Sequence, residues 1–222
     1  FNVPKTGVFG LIDIVGLDLM PIVVDTLLKN IPKTDLYHSV HQKPELFDYM
    51  LKNKMIGRKG KGGFYKLVQD SGKKIKHSLN LKTRKYSISK KVQIDSLKIG
   101  KKNLGKFFEQ KDEYSNYAWI VLSDVLYYVL TIAEEISINI HTIDAAMRDG
   151  FGWKFGPFEI IDKIGPRRFK EKLQKTKKSI PLLLKSVGDG SYYKVEDDEI
   201  KFFDFKTKQY SNLRRQKGVL LL

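Results

Sequence analysis

The chain reads as a mainly α protein built from two tandem helical modules, each closing in a small β-hairpin. Two echoes at different offsets carry that reading. Thr6-Gly7-Val8-Phe9-Gly10-Leu11-Ile12-Asp13-Ile14-Val15-Gly16 returns as Phe155-Gly156-Pro157-Phe158-Glu159-Ile160-Ile161-Asp162-Lys163-Ile164-Gly165, with five of eleven positions identical. Further on, Phe64-Tyr65-Lys66 returns as Tyr192-Tyr193-Lys194, and Lys82-Thr83-Arg84-Lys85-Tyr86-Ser87 as Lys206-Thr207-Lys208-Gln209-Tyr210-Ser211. The order of the echoes is kept while their offset falls from 149 to 124, as one module copied and then shortened by about 25 residues would produce. The boundaries implied are a first module over 1–86, a basic linker over 87–112 and a second, divergent module over 113–222.

Taken in order, residues 8–15 form a short apolar helix that Gly16 closes, since a residue without Cβ enters the left-handed region freely. In the second copy Pro157 occupies a tolerated first-turn position and Gly165 closes the helix. Leu17 to Leu28 continues as a helix, with Met20, Val23, Val24, Leu27 and Leu28 at helical spacing. Pro44 opens another, whose buried side is Leu46, Phe47, Met50 and Leu51. Gly57 to Gly63 is a glycine-rich loop. Strands are expected over 64–68 and 74–81 around Asp70-Ser71-Gly72, and over 192–195 and 201–205 around Asp197-Asp198. The longest helix spans 114–136, with Trp119, Leu122, Val125, Leu126, Val129, Leu130 and Ala133 repeating at i, i+3, i+4. Asn139 or Thr142 caps a helix over 143–149 that Gly150 breaks.

Composition narrows the chemistry. Cysteine is absent, which excludes disulfides, thiol nucleophiles and thiolate metal sites and fits a reducing compartment. No run of about 20 apolar residues exists, so no membrane span is expected. The start, Phe-Asn-Val-Pro-Lys, has neither an initiator Met nor a signal core, and the chain is expected to be a fragment whose apolar tail, Val219 to Leu222, leads into more protein.

The net charge of +16 comes from 34 Lys against 7 Arg, spread through the chain. A solvated Lys-rich surface is the leading reading, attraction of an anionic small molecule the second and nucleic acid the third, because base and bidentate phosphate readout favours Arg.

Individual motifs have both plain and functional readings. Asp13 and Asp162 hold the same place in each copy, where a cap or local hydrogen bond outweighs a catalytic carboxylate. His38 and His41 have H-x-x-H spacing but no third ligand nearby, so no metal site is expected. No G-x-S-x-G elbow occurs. Gly57-Arg58-Lys59-Gly60-Lys61-Gly62-Gly63 has the look of a phosphate cradle without the Walker order, and a flexible basic turn weighs equally.

Joined, these motifs resemble the C-terminal helical region of 3-hydroxyacyl-CoA dehydrogenases of the bacterial fatty-acid oxidation type. Gly156 to Gly165 matches G-P-F-E-[LI]-x-D-x-[VI]-G in full; Gly7 to Gly16 matches it with Val8 and Gly10 as departures. Leu17-Asp18, Gly57-Arg58-Lys59 and Gly63-Phe64-Tyr65 fit the continuation, with Gly60 in place of the usual Ser or Thr. Ile143-Asp144-Ala145-Ala146-Met147-Arg148 and Gly150-Phe151-Gly152-Trp153 look like the long-chain type, in which two such domains stand in tandem.

The resemblance implies an NAD-dependent enzyme of β-oxidation, cytoplasmic, with acyl-CoA as substrate. It implies an upstream Rossmann domain holding the His–Glu catalytic pair, and a homodimer. This chain would supply a substrate lid and dimer surface, and alone would be inactive. It places Lys59 beside the NAD cofactor and Pro4, Lys5 and Thr6 beside the acyl chain; no catalytic residue and no metal ligand fall within the chain. The family's Asn position in the second copy falls near Trp119, so that copy would be non-catalytic. A non-catalytic binding or scaffolding module is the rival reading, and a basic nucleic-acid binder a weaker one.

Overall fold

The structure is a computed structural model that describes residues 6–176 and 178–213. These fall into two compact units, parting between Val92 and Gln93. About half of the chain is helical, and each unit adds one three-stranded antiparallel sheet.

The first unit opens with α1 (Gly7–Val15), a 3-10 turn (Leu17–Leu19) and α2 (Met20–Asn30), followed by α3 (Tyr37–Val40) and α4 (Glu45–Lys52). Gly16 divides the first two elements at φ 109°, in the region that disfavours side chains. Strands β1 (Tyr65–Asp70), β2 (Lys73–Leu79) and β3 (Tyr86–Ile88) pair in sequence order. The β1–β2 turn has positive φ at both Ser71 and Gly72, the primed geometry that matches strand twist. Its core is Leu17, Met50, Met55, Phe64 and Leu79, with Leu46, Phe47 and Leu51 of α4 packed against it.

The second unit begins inside the stretch expected to be a linker. α5 (Asp95–Lys102) and α6 (Leu104–Phe107) form there, and Phe107 and Phe108 are buried in the unit's core. α7 (Glu113–Ile136) buries Trp119, Leu122, Leu126, Leu130 and Ala133 of the expected stripe, while Val125 is exposed and Val129 half-buried. Asp112 caps it, accepting from the Tyr114 and Ser115 amides. α8 (Ile140–Phe151) is capped by Asn139 through the Thr142 amide.

Gly150 does not break α8. The helix runs on to Gly152, whose left-handed φ 63°, ψ 28° forms the actual stop. α9 (Pro157–Ile164), α10 (Pro166–Gln174) and α11 (Leu182–Val187) follow, then β4 (Tyr193–Glu196), β5 (Glu199–Asp204) and β6 (Gln209–Asn212). Asp197 and Asp198 both have positive φ, so this hairpin repeats the primed turn.

The matching places of Phe9 and Phe158 in the two echoes predict equal burial of the two rings, which the structure does not show. Phe158, on α9, is 0% exposed and Phe9, on α1, 41%. Phe9 rests one face on Phe64, ring centroids 4.4 Å apart. In the second unit α7 and α8 pack over α9; no helix of the first unit's described residues does this for α1. The apolar stripe of α2 likewise forms without burial: none of its residues is buried, and Ile22 is 62% exposed.

Candidate functional site

The recurrent feature of both units is one carboxylate that joins the short helix to the first strand. In the first unit the Phe64 amide donates to Asp13 Oδ1 at 2.8 Å and the Tyr65 amide to Oδ2 at 2.7 Å. In the second the Tyr192 and Tyr193 amides donate to Asp162 Oδ1 and Oδ2 at 2.7 and 2.8 Å. A tyrosine from the third strand completes each: Tyr86 donates to the Gly63 carbonyl at 2.5 Å, and Tyr210 to the Ser191 carbonyl at 2.6 Å. Asp13 and Asp162 are thus tertiary clamps across 51 and 30 residues, where a local cap was expected.

The clamp explains the glycines. A Cβ at Gly63 would stand 1.9 Å from Asp13 Oδ1, and one at Gly57 2.3 Å from the Asp13 carbonyl. Five of the loop's seven amides are spent within the unit: Gly57 on Gly62, Arg58 on Asp13, Gly60 on Gly57, Lys61 on Lys54 and Gly63 on Tyr65. A phosphate cradle made of the whole loop's backbone is therefore not what the loop forms.

The first unit has an open groove of about 900 Å³ between the first turn of α1, the glycine loop and the sheet. Arg58, Lys61, Lys66 and Lys76 supply its charge, with Thr6 and Tyr65 beside them. The Lys66 ammonium lies 4.1 Å over the Tyr86 ring and that of Lys76 3.7 Å over Tyr65, so both charges rest on aromatic faces. Asp13 lines the groove too, but both its oxygens are occupied by amides.

Of the residues singled out by sequence, Thr6 lines the groove and Lys59 does not. The Lys59 ammonium turns to Asp18, 3.4 Å away at the start of the 3-10 turn. Pro4 and Lys5 lie outside the described residues, as does the tail from Val219 to Leu222. His41 stacks on Tyr37, and among the described residues no group of three or more His, Asp or Glu is arranged for a metal. Lys66 and Lys76 were not anticipated as site residues. Their alternation along strands reads as an ordinary solvent face.

The second unit is closed at the matching place. Asp144 is fully buried and accepts from the Phe158 amide (2.9 Å), the Glu159 amide (3.2 Å) and the Tyr193 hydroxyl (2.8 Å). It thus seats a carboxylate at the N-terminus of α9. Burial pushes the Asp144 carboxyl up to about 7, against the pull of the Phe158 and Tyr193 hydrogen bonds. Asp162 is pushed up to about 6, again by burial. Burial and then Asp144 raise the Tyr193 hydroxyl far above the usual phenol range. Glu159 accepts from the Gly156 amide at 2.7 Å and pairs with Arg148 at 2.8 Å, completing the helix start. Trp119 is buried between Phe108 and Phe169, in a packing role.

Residues 121–192, which carry α9, Asp162 and Tyr192, match the family described as 3-hydroxyacyl-CoA dehydrogenase, C-terminal domain. That stretch of the chain carries the family's C-terminal domain. It is 36% identical over 165 residues to a Rickettsia felis protein that bears the name fatty acid oxidation complex trifunctional enzyme, covering 72% of this chain and 22% of that protein. A protein of the same name in Rickettsia prowazekii is 33% identical over 160 residues, with the same two coverages of 72% and 22%. A Bacillus subtilis protein named as a 3-hydroxyacyl-CoA dehydrogenase is 30% identical over 210 residues, 90% of this chain and 26% of that protein. The chain spans about a quarter of the length of these relatives. No solved structure matches it.

Proposed function

We propose that this chain is the C-terminal helical portion of an NAD-dependent 3-hydroxyacyl-CoA dehydrogenase of fatty-acid β-oxidation, working in the cytoplasm. It acts as lid and docking surface for a catalytic Rossmann domain placed before it. The observation that carries this reading is the bare apolar face of α1 and α2. Val8 is 73% exposed, and Leu11, Ile22 and Val23 are also exposed. Single exposed apolar residues need no explanation, but a run of them along consecutive helices is a surface built to be covered. The upstream domain covers the α1 end and a second copy of the chain covers α2, giving a homodimer.

The two units are read as copies of one module, with 1–86 and 113–222 as the copies and 87–112 between them. Equivalent carboxylate clamps and tyrosine locks support that reading. The first copy faces the ligands. Thr6, with Pro4 and Lys5, borders the acyl chain. Lys59 contacts the cofactor: its bond to Asp18 is an exposed pair, a type worth about 0–1 kcal/mol, which an anionic ligand outbids at little cost. NAD, when bound, would supply the hydride acceptor for the 3-hydroxyl carbon; this chain's part is to position substrate and exclude water. The second copy has its α9 start sealed by Asp144 and Glu159 and takes no direct part in the chemistry.

The test is a fusion of this chain behind a Rossmann domain of the family. Reduction of acetoacetyl-CoA by NADH is expected, at a rate that the Rossmann domain alone does not reach. A folded fusion no faster than the Rossmann domain alone would favour a scaffolding module that has lost the chemistry.

A further inference from the structure

The two sheets share a topology and differ in charge. Residues 64–88 hold seven Lys or Arg and one acid, Asp70, whereas residues 192–212 hold four Lys and five acids. The difference is sharpest at the first turn of each sheet. The β4–β5 turn reads Glu196-Asp197-Asp198-Glu199, and Glu196 pairs with Lys194 and Lys201 at 3.3 and 2.6 Å. The β1–β2 turn leads straight into Lys73 and Lys74. Among the described residues the first unit's ion pairs, Lys43 with Asp48 and Lys59 with Asp18, involve no residue of the sheet.

The chain beyond β3 brings two more charges to the same end. The Ser89 amide donates to the Lys76 carbonyl at 2.9 Å and extends the β2–β3 pairing, so Lys90 and Lys91 leave the sheet at its tip end. Lys73, Lys74, Lys76, Lys90 and Lys91 are all exposed. Exposed aliphatic side chains lie among them: Leu67 stands opposite Lys76 in the β1–β2 register, and Ile88 and Val92 flank the last two lysines in the chain.

That combination discriminates among the polyanions a basic surface attracts. Protein interfaces are depleted in Lys. Nucleic-acid sites favour Arg and offer free aromatic faces to the bases, but the faces of Tyr65 and Tyr86 already carry Lys76 and Lys66. An anionic bilayer needs neither. Its headgroups attract Lys as a point charge, each one near the surface contributing about fivefold in affinity, and its boundary accepts aliphatic side chains.

We propose that the tip of the first sheet is a peripheral docking surface for an anionic phospholipid membrane. Lys73, Lys74, Lys90 and Lys91 meet the headgroups, and Ile88 and Val92 dip into the acyl boundary. Charge and apolar contact act together, since one weak signal alone gives only marginal binding. Among the described residues no single helix is long and apolar enough to cross a membrane, and this surface attaches from one side. Such attachment is separate from the dehydrogenase reading and holds with or without it.

Co-sedimentation of the purified chain with lipid vesicles tests the surface. Binding is expected to phosphatidylcholine vesicles that contain phosphatidylglycerol, little to phosphatidylcholine alone, and less as salt rises. Lys73→Gln with Lys74→Gln should weaken binding roughly thirtyfold, and Lys90→Gln with Lys91→Gln by as much. Ile88→Ser with Val92→Ser should weaken it severalfold and leave the salt dependence in place. Lys206→Gln with Lys208→Gln, in the second sheet, should change nothing. All of these side chains are exposed, and matching melting curves will show that the variants fold. Undiminished binding by both tip-lysine variants overturns the proposal. So does equal binding to phosphatidylcholine alone, which would move attachment to the bare face of α1 and α2. Failure to bind the anionic vesicles at low salt, or tighter binding to single-stranded poly(U) than to those vesicles, also overturns it, the latter in favour of nucleic acid.

Discussion

Replacing Asp13 by Ala removes the carboxylate that hydrogen-bonds α1 to the start of the first unit's sheet. Two amides, those of Phe64 and Tyr65, lose a charged acceptor in a site where Asp13 is almost fully buried. Hydrogen bonds to charged groups contribute about 1.5–3 kcal/mol each, and an orphaned buried amide cannot recover the loss from water. The expected cost is about 3–5 kcal/mol, out of the roughly 5–10 kcal/mol that a unit of this size holds. Hydrogen exchange is the suitable assay, because both tryptophans, Trp119 and Trp153, lie beyond Val92 in the second unit. Peptides over 57–79 should exchange orders of magnitude faster in Asp13→Ala while the tryptophan-detected urea midpoint barely moves. Asp162→Ala should do the converse. Asp13→Asn, which keeps one acceptor but turns a donor toward the other amide, should fall between. Unchanged protection over 57–79 in a folded Asp13→Ala chain would refute the clamp as the link between helix and sheet.

Other outcomes follow from the same geometry. Asp144 and Asp162 bind their protons more tightly folded than unfolded, so their stabilisation is complete below about pH 4. It is lost as pH rises through about 6 and then about 7. Asp144 alone, raised to about 7 by burial, should remove on the order of 4 kcal/mol as its proton is lost. His141, whose pKa burial lowers, opposes this trend on the acid side. The tryptophan-detected melting temperature should therefore fall between pH 5 and 8; a rise across that interval would contradict the burial of Asp144. Phe158→Ala should cost about 3–5 kcal/mol, whereas Phe9→Ala, on a half-covered ring, should cost well under half as much; equal losses in urea titrations would count against the difference in packing. In a full-length enzyme, Lys59→Ala should raise KM for NADH with little change in kcat, as loss of uniform binding does; an unchanged KM would reduce Lys59 to its pair with Asp18.

Much of the helical body was legible because burial writes a period into the sequence. The stripe from Trp119 to Ala133 could be read directly, and Asn139 is one of two candidate caps there, the other being Thr142. The third strands were not, since Tyr86–Ile88 and Gln209–Asn212 are too short for alternation to show. They exist because β2 and β5 offer them a free edge, which is information from elsewhere in the chain. Gly150 misled for a related reason: a helix tolerates a glycine at a cost of about 1 kcal/mol when a better stop, Gly152, stands two residues on. Phe9 and Phe158 read alike because the motif is local, while burial depends on what packs above it.

The clamp's partners could not be seen from Asp13, since a carboxylate that reaches across 51 residues leaves no local spacing. The groove did leave a trace. Setting the echoes side by side puts Gly10 against Glu159 and Val68 against Glu196, and the lost carboxylates mark where the first unit departs from the second.

The most direct measurement is the rate at which the purified chain by itself oxidises NADH with acetoacetyl-CoA, followed by absorbance across pH 5 to 9. As a lid and docking surface without a catalytic pair, it should give a rate indistinguishable from the buffer blank at every pH. Turnover above the blank would contradict that division of labour and place an active site within these residues.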